Sequence, residues 1–183
     1  MTYKLKVAGL ERDLPICKIT DDLFIAGFVI FGDTELTTAC ADALLKKAPE
    51  YDYIITAEAK GIPLAHEMAR LNNDKKYFVA RKKKKAYMQG ILEVNVESIT
   101  TKGTQTLYLD TADAEIMKGK KILIVDDVIS TGESLRAIEE LVIAAGGNIC
   151  GKMSILAEGD AIDRDDLIFL EELPLFNADG TVK

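Results

Sequence analysis

The chain has 183 residues, 48 % of them apolar and 29 % charged, with a formal net charge of −7. That length suits one well-buried domain rather than two, and the acidic balance argues against a protein that holds nucleic acid by neutralising its phosphates. The longest apolar runs, such as residues 122–125, are far too short to cross a bilayer, and Met1-Thr-Tyr-Lys-Leu-Lys lacks the apolar centre of a secretory signal, so no membrane partner and a cytoplasmic location are expected.

Residues 14–31 read as a short irregular segment. Asp33 then reads as the N-cap of a helix over 34–47. Tyr53–Ala57 reads as the first core strand, followed by a helix over 61–71 whose Ile62, Ala65, Met68, Ala69 and Leu71 share a face. Residues 77–80 give a second strand. Residues 92–99 and 104–110 alternate apolar and polar side chains, which predicts an antiparallel hairpin around Thr101-Lys102-Gly103 that projects as a candidate lid. Lys121-Ile-Leu-Ile-Val gives a third core strand, with apolar residues on both faces, as a central parallel strand requires. An amphipathic helix over 133–145 follows, with Leu135, Ile138, Leu141, Val142 and Ala145 inward, and stops at Gly146-Gly147. Two more strands cover 149–156 and 167–170. Strand–helix alternation of this kind predicts an α/β fold: a central parallel sheet of about five strands flanked by helices and joined by right-handed crossovers. The three cysteines, Cys17, Cys40 and Cys150, are scattered and odd in number, so each reads as a small buried apolar group in a reducing compartment.

The chemistry concentrates in Ile122-Leu-Ile-Val-Asp126-Asp127-Val-Ile-Ser130-Thr131-Gly132-Glu133-Ser134. Two carboxylates stand where a buried strand leaves its sheet, and ligands of open α/β sheets bind at that end of the strands. The turn Ser130, Thr131, Gly132, Glu133, Ser134 can aim backbone N–H groups, hydroxyls and a helix start at one phosphate. Ionised Asp126 and Asp127 are pure acceptors and suit a vicinal diol. A diol beside a phosphate describes ribose 5-phosphate. Capping aspartates on an ordinary strand–turn–helix would account for the acids but not for the long turn. No Walker A loop or dinucleotide fingerprint occurs. The five cations Arg81 to Lys85 read either as a local anion site or as a solvated loop. His66 is the sole histidine and reads as a structural helix residue, and no Cys/His cluster points to a transition metal.

The Asp126–Ser134 segment resembles the 5-phosphoribosyl-1-pyrophosphate (PRPP) motif of type I phosphoribosyltransferases, and the resemblance runs from about Leu14 to Phe176. Ala57-Glu58-Ala59-Lys60-Gly61 resembles the family's pyrophosphate loop, with backbone N–H groups, a lysine and a helix start in one turn. Ala80-Arg81-Lys82 and the Thr-Lys-Gly-Thr-x-Thr-Leu stretch bring the chain closest to the adenine and xanthine members. The resemblance implies pyrophosphate contacts at Glu58, Ala59, Lys60 and Gly61, and at Arg81, Lys82 and Lys85, the last three across the interface of a homodimer. It places Thr101 and Lys102 in a mobile loop within 86–110 that closes over the reaction, with Lys102 among the catalytic groups beside Asp126 and Asp127. A small N-terminal hood, about 1–32 with the C-terminal segment, would supply base contacts at Phe24 and Ile25, joined by Glu158.

The implied reaction is purine base plus PRPP giving a nucleoside monophosphate and pyrophosphate, a step of purine salvage, with Mg2+ carried mainly by PRPP and no metal ligand set of the protein's own. Adenine enzymes place Glu-Tyr-Gly where this chain has Thr101-Lys102-Gly103, which is closer to the xanthine type. Glu158, however, stands where the xanthine type has a lysine, and a carboxylate accepts from an exocyclic amine, as in adenine. Glu158 also reads as one more acid of an acidic loop with Asp160, Asp163, Asp165 and Asp166. The rival expectations on the same fold are a PRPP-sensing regulator without catalysis and an RNA-binding attenuator. The first lacks a basic N-terminal domain here, and the second needs a broad basic face that a net charge of −7 opposes.

Overall fold

The computed structural model describes residues 1–97 and 104–183. In chain order the strands and helices are β1 (Thr2–Val7), β2 (Leu10–Lys18), β3 (Phe24–Ala26), α1 (Thr34–Leu45), β4 (Tyr53–Ala57), α2 (Ile62–Leu71), β5 (Phe78–Ala80), β6 (Ile91–Glu97), β7 (Thr104–Asp110), α3 (Thr111–Met117), β8 (Lys121–Ile129), α4 (Glu133–Ala144), β9 (Asn148–Glu158), β10 (Ile168–Leu173) and β11 (Leu175–Phe176). A five-stranded parallel sheet in the order β10-β9-β8-β4-β5 forms the centre. The expected α/β architecture and its strand count are thus present.

β8 lies in the middle of that sheet, and its alternate side chains feed two cores. Leu123 and Val125 pack on the α1/α2 side, while Ile122, Ile124 and Ile129 pack on the α4 side. Period-two alternation of wholly apolar residues buries both faces, which is the reason the strand has no polar face. α4 seals the second core with Leu135, Ala137, Ile138, Leu141 and Val142. α1 begins where Asp33 Oδ1 accepts the Leu36 N–H at 3.0 Å. α2 buries Leu64 with Ala65, Met68 and Ala69, so its inward face is rotated slightly from the one the spacing suggests.

The N-terminal segment differs from the expectation of irregular chain. β1 and β2 form an antiparallel hairpin, joined at Val7↔Leu10, and β3 and β11 extend it to a four-stranded sheet. Ala8 and Gly9 turn the hairpin with φ of 50° and 78°, a two-residue left-handed turn. An alanine there is uncommon, and the usual Asn-Gly signal is missing, so the sequence conceals the turn. Arg12 ties this hood to the core: its guanidinium reaches both carboxylate oxygens of Asp33, at 2.6 and 3.0 Å, and Glu35 at 2.8 Å.

The expected antiparallel hairpin is present as β6–β7, but its placement differs. Its described strands do not project; they lie on α4, burying Val96, Leu107 and Leu109 in the second core. Arg81 extends it, exchanging two backbone hydrogen bonds of 2.8 Å with Tyr108. Thr101 and Lys102 lie outside the described residues. Cys40 is buried, and burial pushes its thiol up to about 12; Cys150 is half-buried, but Cys17 is exposed, against the expectation for all three. His66 is an exposed residue of α2, edge-on to Tyr77. Among the described residues, no helix is long and apolar enough to cross a membrane.

Candidate active site

β4 and β8 are adjacent and parallel, so the residues after their C-terminal ends converge. The strand β8 runs further than its apolar run, carrying Asp126 and Asp127 within it and ending at Ile129. Asp127 is buried, with 3 % of its surface exposed, and Asp126 is partly covered. From the neighbouring strand, Lys60 reaches across and places its Nζ 2.8 Å from Asp127 Oδ2. Among the described residues that ion pair is the only polar contact of Asp127 Oδ2, and the buried Thr56 Oγ1 has no partner. The peptide bond between Glu58 and Ala59 is cis.

Asp126, Asp127 and Lys60 line one pocket of about 390 Å3, together with Glu58, Ala59, Lys82, Ser130, Thr131, Gly132 and Ser134. A cavity of that size accommodates a small polar molecule such as a sugar phosphate. Gly132 adopts φ 77° as the N-cap of α4, a left-handed conformation that turns the chain into the helix and that glycine adopts without strain. A Cβ there would stand 3.1 Å from Arg164 Nη1, whose Nε and Nη2 are held by Asp166 at 2.9 and 2.8 Å. Ser134 Oγ accepts from Gln105 Nε2 of β7 at 3.3 Å, so the hairpin touches the turn. Glu133 opens the helix that follows.

The second cation cluster is organised differently from a solvated loop. Of the run Arg81 to Lys85, Arg81 and Lys85 turn inward to Glu58 Oε1, at 3.2 and 3.5 Å, and Lys84 pairs with Glu93 of β6 at 3.0 Å. Lys82 lines the pocket, and its backbone N–H donates to Glu58 Oε2 at 2.8 Å. Desolvation pushes the Glu58 carboxyl up, but the Lys82 N–H, Arg81 and Lys85 together outweigh it and hold the group below its ordinary value.

Burial first, and the neighbouring Asp127 carboxylate second, raise the Asp126 carboxyl from 3.8 to about 7. The folded protein therefore holds this proton more tightly than the unfolded chain does across that window, and stability falls as pH rises through it. The melting temperature of the ligand-free protein should decrease between about pH 4 and about pH 7, and Asp126→Asn, which cannot ionise, should flatten the slope. Parallel slopes for the two proteins in a thermal melt series would remove this assignment.

The structure thus brings together Asp126, Asp127, Ser130, Thr131, Gly132, Ser134, Glu58, Ala59, Lys60 and Lys82, with Gly61 packed beneath them. It keeps Phe24, Ile25 and Glu158 outside the pocket's lining. Glu158 ends β9 half-buried, where burial raises its carboxyl and Lys60 opposes the rise. Its backbone neighbour across β10 is Leu173, and Leu175 just beyond pairs with Ile25 of the hood. Phe24 and Ile25 therefore stand on the same side of the sheet's end as Glu158. Arg164 and the Lys60–Asp127 pair were not legible in the sequence. Arg164 sits among acids far along the chain, and only the fold brings it to Gly132.

The fold and these convergent groups define an α/β protein with a polar pocket at the carboxyl ends of its central strands. The chain belongs to the phosphoribosyl transferase domain family, whose sequence profile matches residues 34–166. It is 39 % identical over 147 residues to an adenine phosphoribosyltransferase of Kosmotoga olearia, covering 79 % of this chain and 83 % of that one. It is also 39 % identical over 111 residues to a hypoxanthine/guanine phosphoribosyltransferase of Methanothermococcus okinawensis, covering 61 % of this chain and 56 % of the relative. The chain thus spans little more than half the length of that relative. In three dimensions it resembles an adenine phosphoribosyltransferase from Rhodothermus marinus, with a TM-score of 0.65 at 23 % identity over 94 % of both chains, a likeness of fold.

Proposed function

We propose that this protein transfers the 5-phosphoribosyl group of PRPP to a purine base, releasing pyrophosphate. The observation that carries the reading is the meeting of a carboxylate pair, a glycine-turned phosphate loop and two lysines in one pocket. The turn at Ser130, Thr131 and Ser134 would hold the 5-phosphate through backbone N–H groups and hydroxyls. Asp126 and Asp127 would accept the ribose hydroxyls and lend negative potential to the ring as positive charge develops at C1. Lys60 and Lys82 would take the departing pyrophosphate, Lys60 exchanging Asp127 for the leaving group once the sugar hydroxyls occupy the carboxylate. No protein nucleophile is needed; the protein positions reactants and shields them from water. Lys102, in the loop the proposal assigns to closure, completes the set.

Magnesium fits this site as a passenger of the substrate. Among the described residues no three His, Cys, Asp or Glu side chains group as a metal site, while Asp126 and Asp127 are the hard oxygen donors the ion prefers. When bound through PRPP and water, it supplies neutralising charge at the pyrophosphate. The proposal also includes a second copy of the chain as partner and a cytoplasmic location; a monomer in light scattering would remove the first.

For the base we favour adenine, with xanthine or another oxopurine next. Glu158, at the end of β9 and within the electrostatic reach of Lys60, carries this preference: a carboxylate accepts from an exocyclic amine and repels a carbonyl. Protein mixed with PRPP, magnesium and each of adenine, hypoxanthine, guanine, xanthine and orotate, with pyrophosphate release measured, tests both levels. Turnover with adenine above the others supports the whole reading. Turnover with an oxopurine instead keeps the enzyme and removes the role of Glu158. Binding of PRPP without turnover for any base would leave a regulator that senses PRPP. In the active protein, Glu158→Lys should shift the ratio of kcat/KM for hypoxanthine over adenine upward by about tenfold.

A further inference from the structure

Glu58 poses a chemical problem for a pyrophosphate site. It lines the pocket in the turn where the leaving group is proposed to sit, yet a carboxylate repels a polyanion. Its contacts supply the answer. The Glu58 N–H donates to Ala80 O at 2.9 Å, one rung past the last β4–β5 residue pair, Ala57↔Ala80. Its side-chain Oε2 then accepts the Lys82 N–H at 2.8 Å, standing in for the next rung of the ladder. Oε1 meanwhile faces Arg81 Nη2 and Lys85 Nζ, at 3.2 and 3.5 Å. All of these partners belong to one six-residue stretch, Ala80 to Lys85. Arg81 is further held by its backbone exchange with Tyr108, and its Nε is buried without a partner among the described residues.

We propose that Glu58 is a positioning residue that anchors the Arg81–Lys85 turn and thereby presents Lys82 to the pyrophosphate half of the site. The proposal rests on the function proposed above and gives Glu58 a role opposite in kind to direct ligand contact. One carboxylate satisfies a backbone N–H and two cations. The cluster of Glu58, Lys60, Arg81, Lys82 and Lys85 therefore keeps a positive surplus while its geometry is fixed. Preorganised charge of this sort needs no rearrangement when the anion arrives. Without the anchor, the two long cations and the Lys82 backbone would be free to sample other arrangements, and the ligand would have to order them.

The test is a calorimetric titration of wild type, Glu58→Gln and Glu58→Ala with magnesium pyrophosphate and, separately, with ribose 5-phosphate. Glu58→Ala should weaken pyrophosphate about fivefold or more and leave ribose 5-phosphate within about twofold, with an unchanged melting temperature. Glu58→Gln keeps an acceptor for the Lys82 N–H and loses only the charge, so it should recover part of the loss. In turnover, the alanine variant should raise KM for PRPP and leave KM for the base unaltered. Tighter pyrophosphate binding by either variant would show Glu58 to be a competing anion and overturn the proposal, as would unchanged binding in both. A wild-type protein that binds neither ligand would instead sink the proposed function itself.

Discussion

Asp127→Asn should lower turnover by about 10- to 100-fold while the protein stays folded, the range expected when one charge-assisted hydrogen bond that strengthens toward the transition state is lost. The substitution preserves shape in a position only 3 % exposed, so packing around it is unchanged. It exchanges an acceptor-only group for one that also carries an NH2, and a diol hydroxyl facing that NH2 meets donor against donor. It also removes the negative charge closest to Lys60 Nζ, 2.8 Å away. Lys60 then loses its resting partner and becomes available to anions. The expected pattern is thus split: kcat falls, and the affinity for pyrophosphate alone holds or improves. Steady-state kinetics with PRPP as the varied substrate, beside pyrophosphate titration, reads both. Unaltered kcat would remove Asp127 from the sugar site, and a parallel loss of pyrophosphate affinity would mean that the variant had disturbed the pocket as a whole.

The central half of this arrangement was legible from local pattern. An all-apolar run ending in Asp126-Asp127, then a small-residue turn, then an amphipathic helix, specifies strand, turn and helix independently of the rest of the chain, and the structure has each. What could not be read were facts created by neighbouring strands. The Lys60–Asp127 pair exists because β4 and β8 are adjacent, and the grip of Glu58 on Arg81, Lys82 and Lys85 exists because β5 borders β4. Sequence places Arg81 to Lys85 in a row, whereas the fold turns two of them inward and leaves Lys82 on the pocket. The hood is present as expected, but its strands went unread for a local reason, a turn whose alanine adopts φ of 50°. The hairpin β6–β7 is present too, and only its position on α4 went unread, for a tertiary reason. Period-two alternation fixes its strands but says nothing of what covers the apolar face, and α4 covers it.

Gly61→Val should cost turnover more than any change to a polar group of the pyrophosphate turn, by about 100-fold, with a smaller loss for alanine. Gly61 has φ −70° and ψ −14°, ordinary helical values, so no side chain is excluded by the backbone. Space excludes it. A Cβ there would collide with Thr56 Oγ1 and stand 2.8 Å from Asp126 Oδ1 and 3.3 Å from Asp126 Cα. Thr56 is fully buried and cannot swing aside, so the strain must fall on Asp126 or on the whole turn from Glu58 to Gly61. Either displacement moves a diol acceptor away from the lysine that shares its pocket, and small misplacements of positioned groups are costly in a reaction driven by positioning. The pair of residues offers an internal control. Thr56→Ala removes the colliding oxygen, which has no hydrogen-bond partner to lose. Thr56→Ala should therefore be mild alone and should restore part of the activity lost in Gly61→Ala, a positive coupling in a double-mutant cycle. Additive losses in that cycle would show that the collision is not what Gly61 avoids, and wild-type turnover in Gly61→Val would show that the turn can move without disturbing the carboxylates.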